Sequence, residues 1–190
     1  MKQIGKKITY NSPVVLTFAL LSLTALFLGF LSGGRTTAAL FSVYRAPLSD
    51  PLTWPRMVLH VLGHANLDHY IANTTLLLVV GPPLEEKYGS RTMLLAIFIT
   101  AAASGLVNFI FFPSAALLGA SGVVFMMILL SSLSGAKEGT IPLTLILVAV
   151  IYIGGELVSG IFMRDNVSHL THIVGGVCGT IIGFALINRK

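Results

Sequence analysis

The sequence predicts an all-α polytopic membrane protein, a bundle of six transmembrane helices forming one domain over residues 1–190. Three observations carry this expectation. Only 10% of the residues are charged against 55% hydrophobic, whereas soluble domains carry about 25% charged residues. The apolar runs are long and continuous rather than alternating, and in lipid only helices or closed barrels satisfy the backbone. Six such runs lie at or near the length of about 20 residues that crosses a bilayer core.

Residues 1–11 are polar and include Lys2, Lys6 and Lys7. The first span, about 13–33, has no charge. It exceeds a signal-peptide core of about 7–15 residues, and no small-x-small cleavage site follows it closely. Residues 34–59 mix Arg35, Arg45, Asp50 and Arg56 with Leu40, Tyr44, Leu52 and Trp54. They are too polar to span and too apolar to float free, which suits the membrane interface. The second span, about 67–82, begins with polar residues and is expected to end at Gly81-Pro82-Pro83, before a charged turn over Leu84–Arg91. From Thr92 to Ala136 no residue is charged. That is twice what one span needs, and Pro113 with Ser114 marks the break between spans at about 92–112 and 118–136. Lys137-Glu138-Gly139 makes a turn, the fifth span is about 141–162, and Arg164-Asp165-Asn166 forms the next loop. The sixth span, about 169–188, precedes Arg189-Lys190.

Six spans put both termini on one side. With that side cytoplasmic, the inner segments hold Lys2, Lys6, Lys7, Lys87, Arg91, Lys137, Arg189 and Lys190, and the outer ones hold Arg35, Arg45, Arg56 and Arg164. Eight against four favours a cytoplasmic N-terminus by the positive-inside rule. The net charge of +5 is largely juxtamembrane, so anionic lipid headgroups explain it without nucleic acid as a partner. Cys178 is the only cysteine, which excludes an internal disulfide and a Cys-based metal site.

Under this topology the second, fourth and sixth spans all start at the outer face. His64, His69 and Asn73 lie near the start of the second, Ser121 in the first turn of the fourth, and His172 in the first turn of the sixth. All five histidines (60, 64, 69, 169 and 172) therefore gather at one level, and polar groups inside a membrane default to functional roles. At 100° per residue, Gly176, Gly179 and Gly183 fall within about 40° of His172, and Gly175 within about 60°. Such a stripe lets two helices approach closely in lipid, and Gly119, Ala120 and Gly122 offer small residues around Ser121. A serine beside a histidine, shielded from bulk water, is a nucleophile with its base. His69 and Asn73, at i and i+4, share a face and can donate hydrogen bonds as an oxyanion hole requires.

At these residues the chain resembles the rhomboid intramembrane serine proteases in their compact bacterial six-helix form, over nearly its whole length. Gly119-Ala120-Ser121-Gly122 matches the family's Gly-x-Ser-Gly, and His172 with Gly175 and Gly179 matches its histidine and glycine zipper. His60, His64, His69 and Asn73 match His-x3-His-x4-His-x3-Asn, and Glu85 with Gly89 matches Glu-x3-Gly. The resemblance implies Ser121 as nucleophile and His172 as general base, without a third carboxylate. It implies an oxyanion hole of His69, Asn73 and the Ser121 backbone N–H, supported by His64 and Gly119, with structural roles for Gly175, Gly179, Arg56 and Glu85. It calls for no cofactor and no metal. The implied partners are transmembrane protein substrates and the lipid bilayer, and the implied location is a bacterial inner membrane with the site open to the outer face. One departure stands out: the family's adjacent Trp-Arg is here Trp54-Pro55-Arg56. Glu156, near the outer end of the fifth span, matches no part of the pattern.

Three other readings compete. A rhomboid-like binder that recognises membrane proteins without cutting them would lack the serine or the histidine, and both are present. A His-cluster metal protein could use His60 and His64 with His69, His169 or His172, but it leaves Gly-Ala-Ser-Gly unexplained. A small transporter would show internal repeats or paired broken helices, and neither is evident.

Overall fold

A computed structural model describes residues 8–162 and 166–187, without the side chains at 153, 156–162 and 166–168. Lys2, Lys6, Lys7, Arg164, Arg189 and Lys190, which entered the charge balance, lie outside the described residues, as does the side chain of Glu156. The elements are α1 (Pro13–Leu31), α2 (Arg35–Leu40), α3 (Thr53–Leu59) running into a 3₁₀ turn (His60–Leu62), α4 (Leu67–Tyr88), α5 (Ser90–Phe111), α6 (Ser121–Ser132), α7 (Leu143–Phe162) and α8 (Asn166–Ile187). By length and apolarity alone α1, α5 and the His169–Ile187 part of α8 suffice to cross a membrane. Phe30, Leu94, Phe98, Val150 and Ile181 are exposed on the outside of the bundle. An exterior so rich in large apolar side chains suits lipid rather than water.

The centre is α6. Val123, Met126, Met127, Leu129 and Leu130 have no exposed surface, so this helix is surrounded by protein. Its 12 residues rise only about 18 Å, well short of a bilayer core of about 30 Å. The span expected over 118–136 is therefore longer than the helix observed. Residues before Ser121 are held extended instead: Val43 and Leu117 exchange N–H···O bonds of 2.9 Å in both directions. The Asn108 amide donates to the Val43 and Ala115 carbonyls at 3.1 and 3.2 Å. A helix so largely enclosed by protein need not span, because its neighbours satisfy what lies beyond its ends.

The second difference concerns α4, which continues through Pro82 and Pro83 to Tyr88 where a charged turn was expected. Proline's fixed φ is compatible with a helix, and what it costs is a backbone bond. Tertiary contacts hold the last turn in place. Leu84 and Glu85 are buried, and the Glu85 carboxylate accepts the N–H groups of Val14 and Val15 at 2.9 Å each and the Ser90 hydroxyl at 2.7 Å. Ser12 makes no side-chain cap for α1, so Glu85 satisfies the orphan donors there and meets the positive end of the helix dipole. Glu85→Gln would set an amide N–H₂ against those donors. Bonds to a charged acceptor are worth about 1.5–3 kcal/mol, so thermal unfolding in micelles should show a clear fall in Tm; an unchanged Tm would contradict the clasp.

Segment 34–59 folds around Arg56. Its guanidinium is buried, donates to the Ala39 carbonyl at 2.8 Å, pairs with Asp50 at 2.9 Å, and lies 4.8 Å from the Tyr44 ring centre. Trp54, displaced by one position from the family pattern, points outward and is 57% exposed.

Candidate active site

Ser121 is the first residue of α6 and is half-buried. The turn leading to it depends on Gly119, whose φ of +129° is rarely open to a residue with a side chain. The Gly119 N–H donates to the His60 carbonyl at 3.0 Å, which anchors the turn to the segment before α4.

Helix α8 runs parallel to α6 in very close contact. A Cβ added to Gly175 would strike the Gly122 backbone, one added to Gly179 would strike the Met126 backbone, and one at Gly183 would meet the Leu133 side chain. The same four-residue step on both helices fixes their register, so Ser121 and His172 sit at the same end of the pair. The His172 imidazole stacks on Phe125, with ring centres 4.3 Å apart and planes 6° apart. Phe125 lies four residues after Ser121 and so shares its face of α6. The imidazole therefore rests on the face of α6 that carries the serine hydroxyl.

Helix α4 supplies the third side. The Asn66 side chain caps it by accepting the His69 N–H at 2.8 Å. The His69 ring lies over Gly119, its Cε1 and Nε2 at 2.9 and 3.0 Å from the position a Gly119 Cβ would take; any side chain there would push it away. His64 meets His69 edge-on at 5.1 Å and Tyr70 at 5.5 Å, and its Nδ1 lies 3.2 Å from the Leu62 carbonyl. Burial pushes the His64 imidazole down to about 4, so it is neutral at ordinary pH. His60 is wholly enclosed and likewise pushed down to about 4 by burial. Asn73, one turn beyond His69, is buried with its Nδ2 making no hydrogen bond among the described residues. A buried amide donor in that state is costly and is available to an incoming acceptor.

Ser121, His172, His69, Asn73, His64 and Gly119 thus gather at one end of the bundle, and Gly175 and Gly179 form the α6–α8 contact beneath. Glu85 and Arg56 lie apart and hold structure. Among the described residues no group of three or more His, Cys, Asp or Glu side chains is arranged to hold a metal ion. Phe125 went unread in the sequence, although its i+4 spacing from Ser121 was a usable signal.

A family profile described as "Rhomboid domain" matches residues 51–189. The chain belongs to the rhomboid family. This rhomboid is an integral membrane protein, a polytopic helical bundle. It is 31% identical over 170 residues to "Rhomboid protease GluP" of Bacillus subtilis (strain 168), covering 84% of this chain and 32% of that one. It is 30% identical over 142 residues to "Rhomboid-related protein 1" of Caenorhabditis elegans, covering 70% and 40%. With "Putative rhomboid protease YdcA" of Bacillus subtilis (strain 168) it shares 25% identity over 146 residues, covering 72% and 69%. The chain spans about a third of the GluP relative and two fifths of the worm protein.

Proposed function

We propose that this rhomboid is an intramembrane serine endopeptidase that cuts transmembrane segments of membrane proteins with a Ser121–His172 dyad. The observation that carries the reading is the seating of His172 on Phe125, one turn from Ser121, by an α8 pressed onto α6 through glycine. Two of the relatives are named as proteases, which supports the same class of reaction.

In the acylation step His172 takes the Ser121 hydroxyl proton while Oγ bonds to the scissile carbonyl carbon. The carbonyl electron pair moves to oxygen, and the oxyanion meets donors from His69, Asn73 and the Ser121 N–H, which the helix start leaves without an intrahelical partner. His172 then protonates the leaving amine as the C–N bond breaks. Water, activated by the same imidazole, splits the acyl-enzyme and restores Ser121. A helical substrate hides its carbonyls in hydrogen bonds, so the cut falls where the helix unwinds, near Gly, Pro or polar residues and just after a small one. The charge balance orients the N-terminus to the cytoplasm and the site to the outer face of a bacterial inner membrane.

The test is cleavage of a single-span model substrate by purified protein in micelles, with and without a zinc chelator. A product that forms equally in both supports the serine reaction; loss of product on chelation would favour a metal. Asn73→Ala separates a transition-state donor from a structural tie. Such donors are worth about 2.7–4 kcal/mol in well-studied sites; with two others remaining, kcat should fall at the lower end of that range or less, with Tm nearly intact. A large drop in Tm with unchanged kcat would remove Asn73 from the site.

A further inference from the structure

We propose that Tyr152 of α7 is a positioning residue for His172, acting through Phe125. The role rests on the dyad proposed above. Three rings from three helices stand in contact. The His172 ring lies parallel to Phe125 at 4.3 Å, and Tyr152 meets Phe125 at 5.5 Å with planes 87° apart. Both are favoured aromatic geometries, stacked and edge-to-face. Phe125 is only half-buried, so the neighbouring rings limit where its side chain can turn. Stacking couples the ring planes: if Phe125 swings, the imidazole loses the surface that sets its orientation toward Ser121.

What makes Tyr152 more than packing is its place. It lines a cavity of about 570 Å³ together with Leu76 and Val80 of α4 and Ile128 of α6. Among the described residues α7 packs on α6 and α8 but has no extensive contact with α4. Tyr152 therefore joins the helix least braced on its α4 side to the ring that seats the base. Its contact with Phe125 is made by the aromatic ring, which is therefore the functional part. The position of α7 is thereby tied to the reactivity of Ser121.

The experiment measures the rate at which a small fluorophosphonate labels Ser121 in the full chain, a reaction that needs the base but no transmembrane substrate. Tyr152→Ala should slow labelling about three- to tenfold, the range of one aromatic contact, and Tyr152→Phe should restore it. Tyr152→Leu, which fills volume without a ring, should behave like alanine. Phe125→Ala should slow labelling at least as much, and adding Tyr152→Ala to it should cost nothing more. With a single-span substrate the loss should fall on kcat rather than KM. Wild-type labelling in Tyr152→Ala, full rescue by leucine, or multiplication of the two effects in the double variant would each overturn the role. If the wild-type protein took no label at Ser121, the dyad itself would fail and this role with it.

Discussion

Ser121→Ala should leave a single-span substrate uncleaved while the protein inserts, folds and melts as the wild type does. The expected effect is complete because, in the proposed reaction, Oγ itself forms the bond to the scissile carbonyl carbon. The turn at Gly119 aims the chain so that residue 121 alone stands at the head of α6, on the face where His172 rests. The variant removes one oxygen from a half-buried position, so packing hardly changes. His172→Ala should also abolish cleavage by a different route: Oγ remains but nothing takes its proton. Turnover by Ser121→Ala near the wild-type rate would exclude the serine mechanism, whereas a collapse in Tm would show that the residue holds structure.

The second large effect is expected well away from the reacting atoms. Gly179→Leu should cut turnover by about a hundredfold, the loss that a misplacement of about 1 Å can bring. Even a single added methyl there would run into the Met126 backbone carbonyl, and a backbone cannot swing aside as a side chain can. The leucine must lever α8 from α6 and lift His172 off Phe125. Gly183 provides the graded control. A Cβ there meets the tip of Leu133, a side chain that can rotate, so Gly183→Ala should cost far less. Undiminished activity in Gly179→Leu, or equal losses at both positions, would mean that the glycine face does not set the geometry.

These two predictions draw on features that differ in how readably the sequence carries them. The glycine stripe was legible because a four-residue spacing of small residues survives as a pattern along the chain. The approach of the His69 ring to Gly119, two residues before Ser121, was legible because polar residues in so apolar a chain are few. The bounds of α6 were not legible. Pro113 with Ser114 marks a break in the charge-free stretch from Thr92 to Ala136, but the start of α6 is set by Val43 pairing with Leu117 and by the Asn108 amide donating to the Val43 carbonyl, contacts between residues distant in sequence. The continuation of α4 past Pro82 and Pro83 was hidden for a similar reason. Local preference argued for a break, and the contact of Glu85 with the start of α1 outweighs it. Phe125 stands at i+4 from Ser121, but that spacing alone does not single out one aromatic in an apolar run until its neighbour across the helix pair, His172, is known.

The most direct test of the dyad is the mass of the intact protein after treatment with a fluorophosphonate, followed by peptide mapping. The wild-type chain should gain one adduct, on Ser121, and His172→Ala should gain none although its serine is still present. An adduct on another residue, or equal labelling of Ser121 without His172, would contradict the pairing of this serine with this histidine.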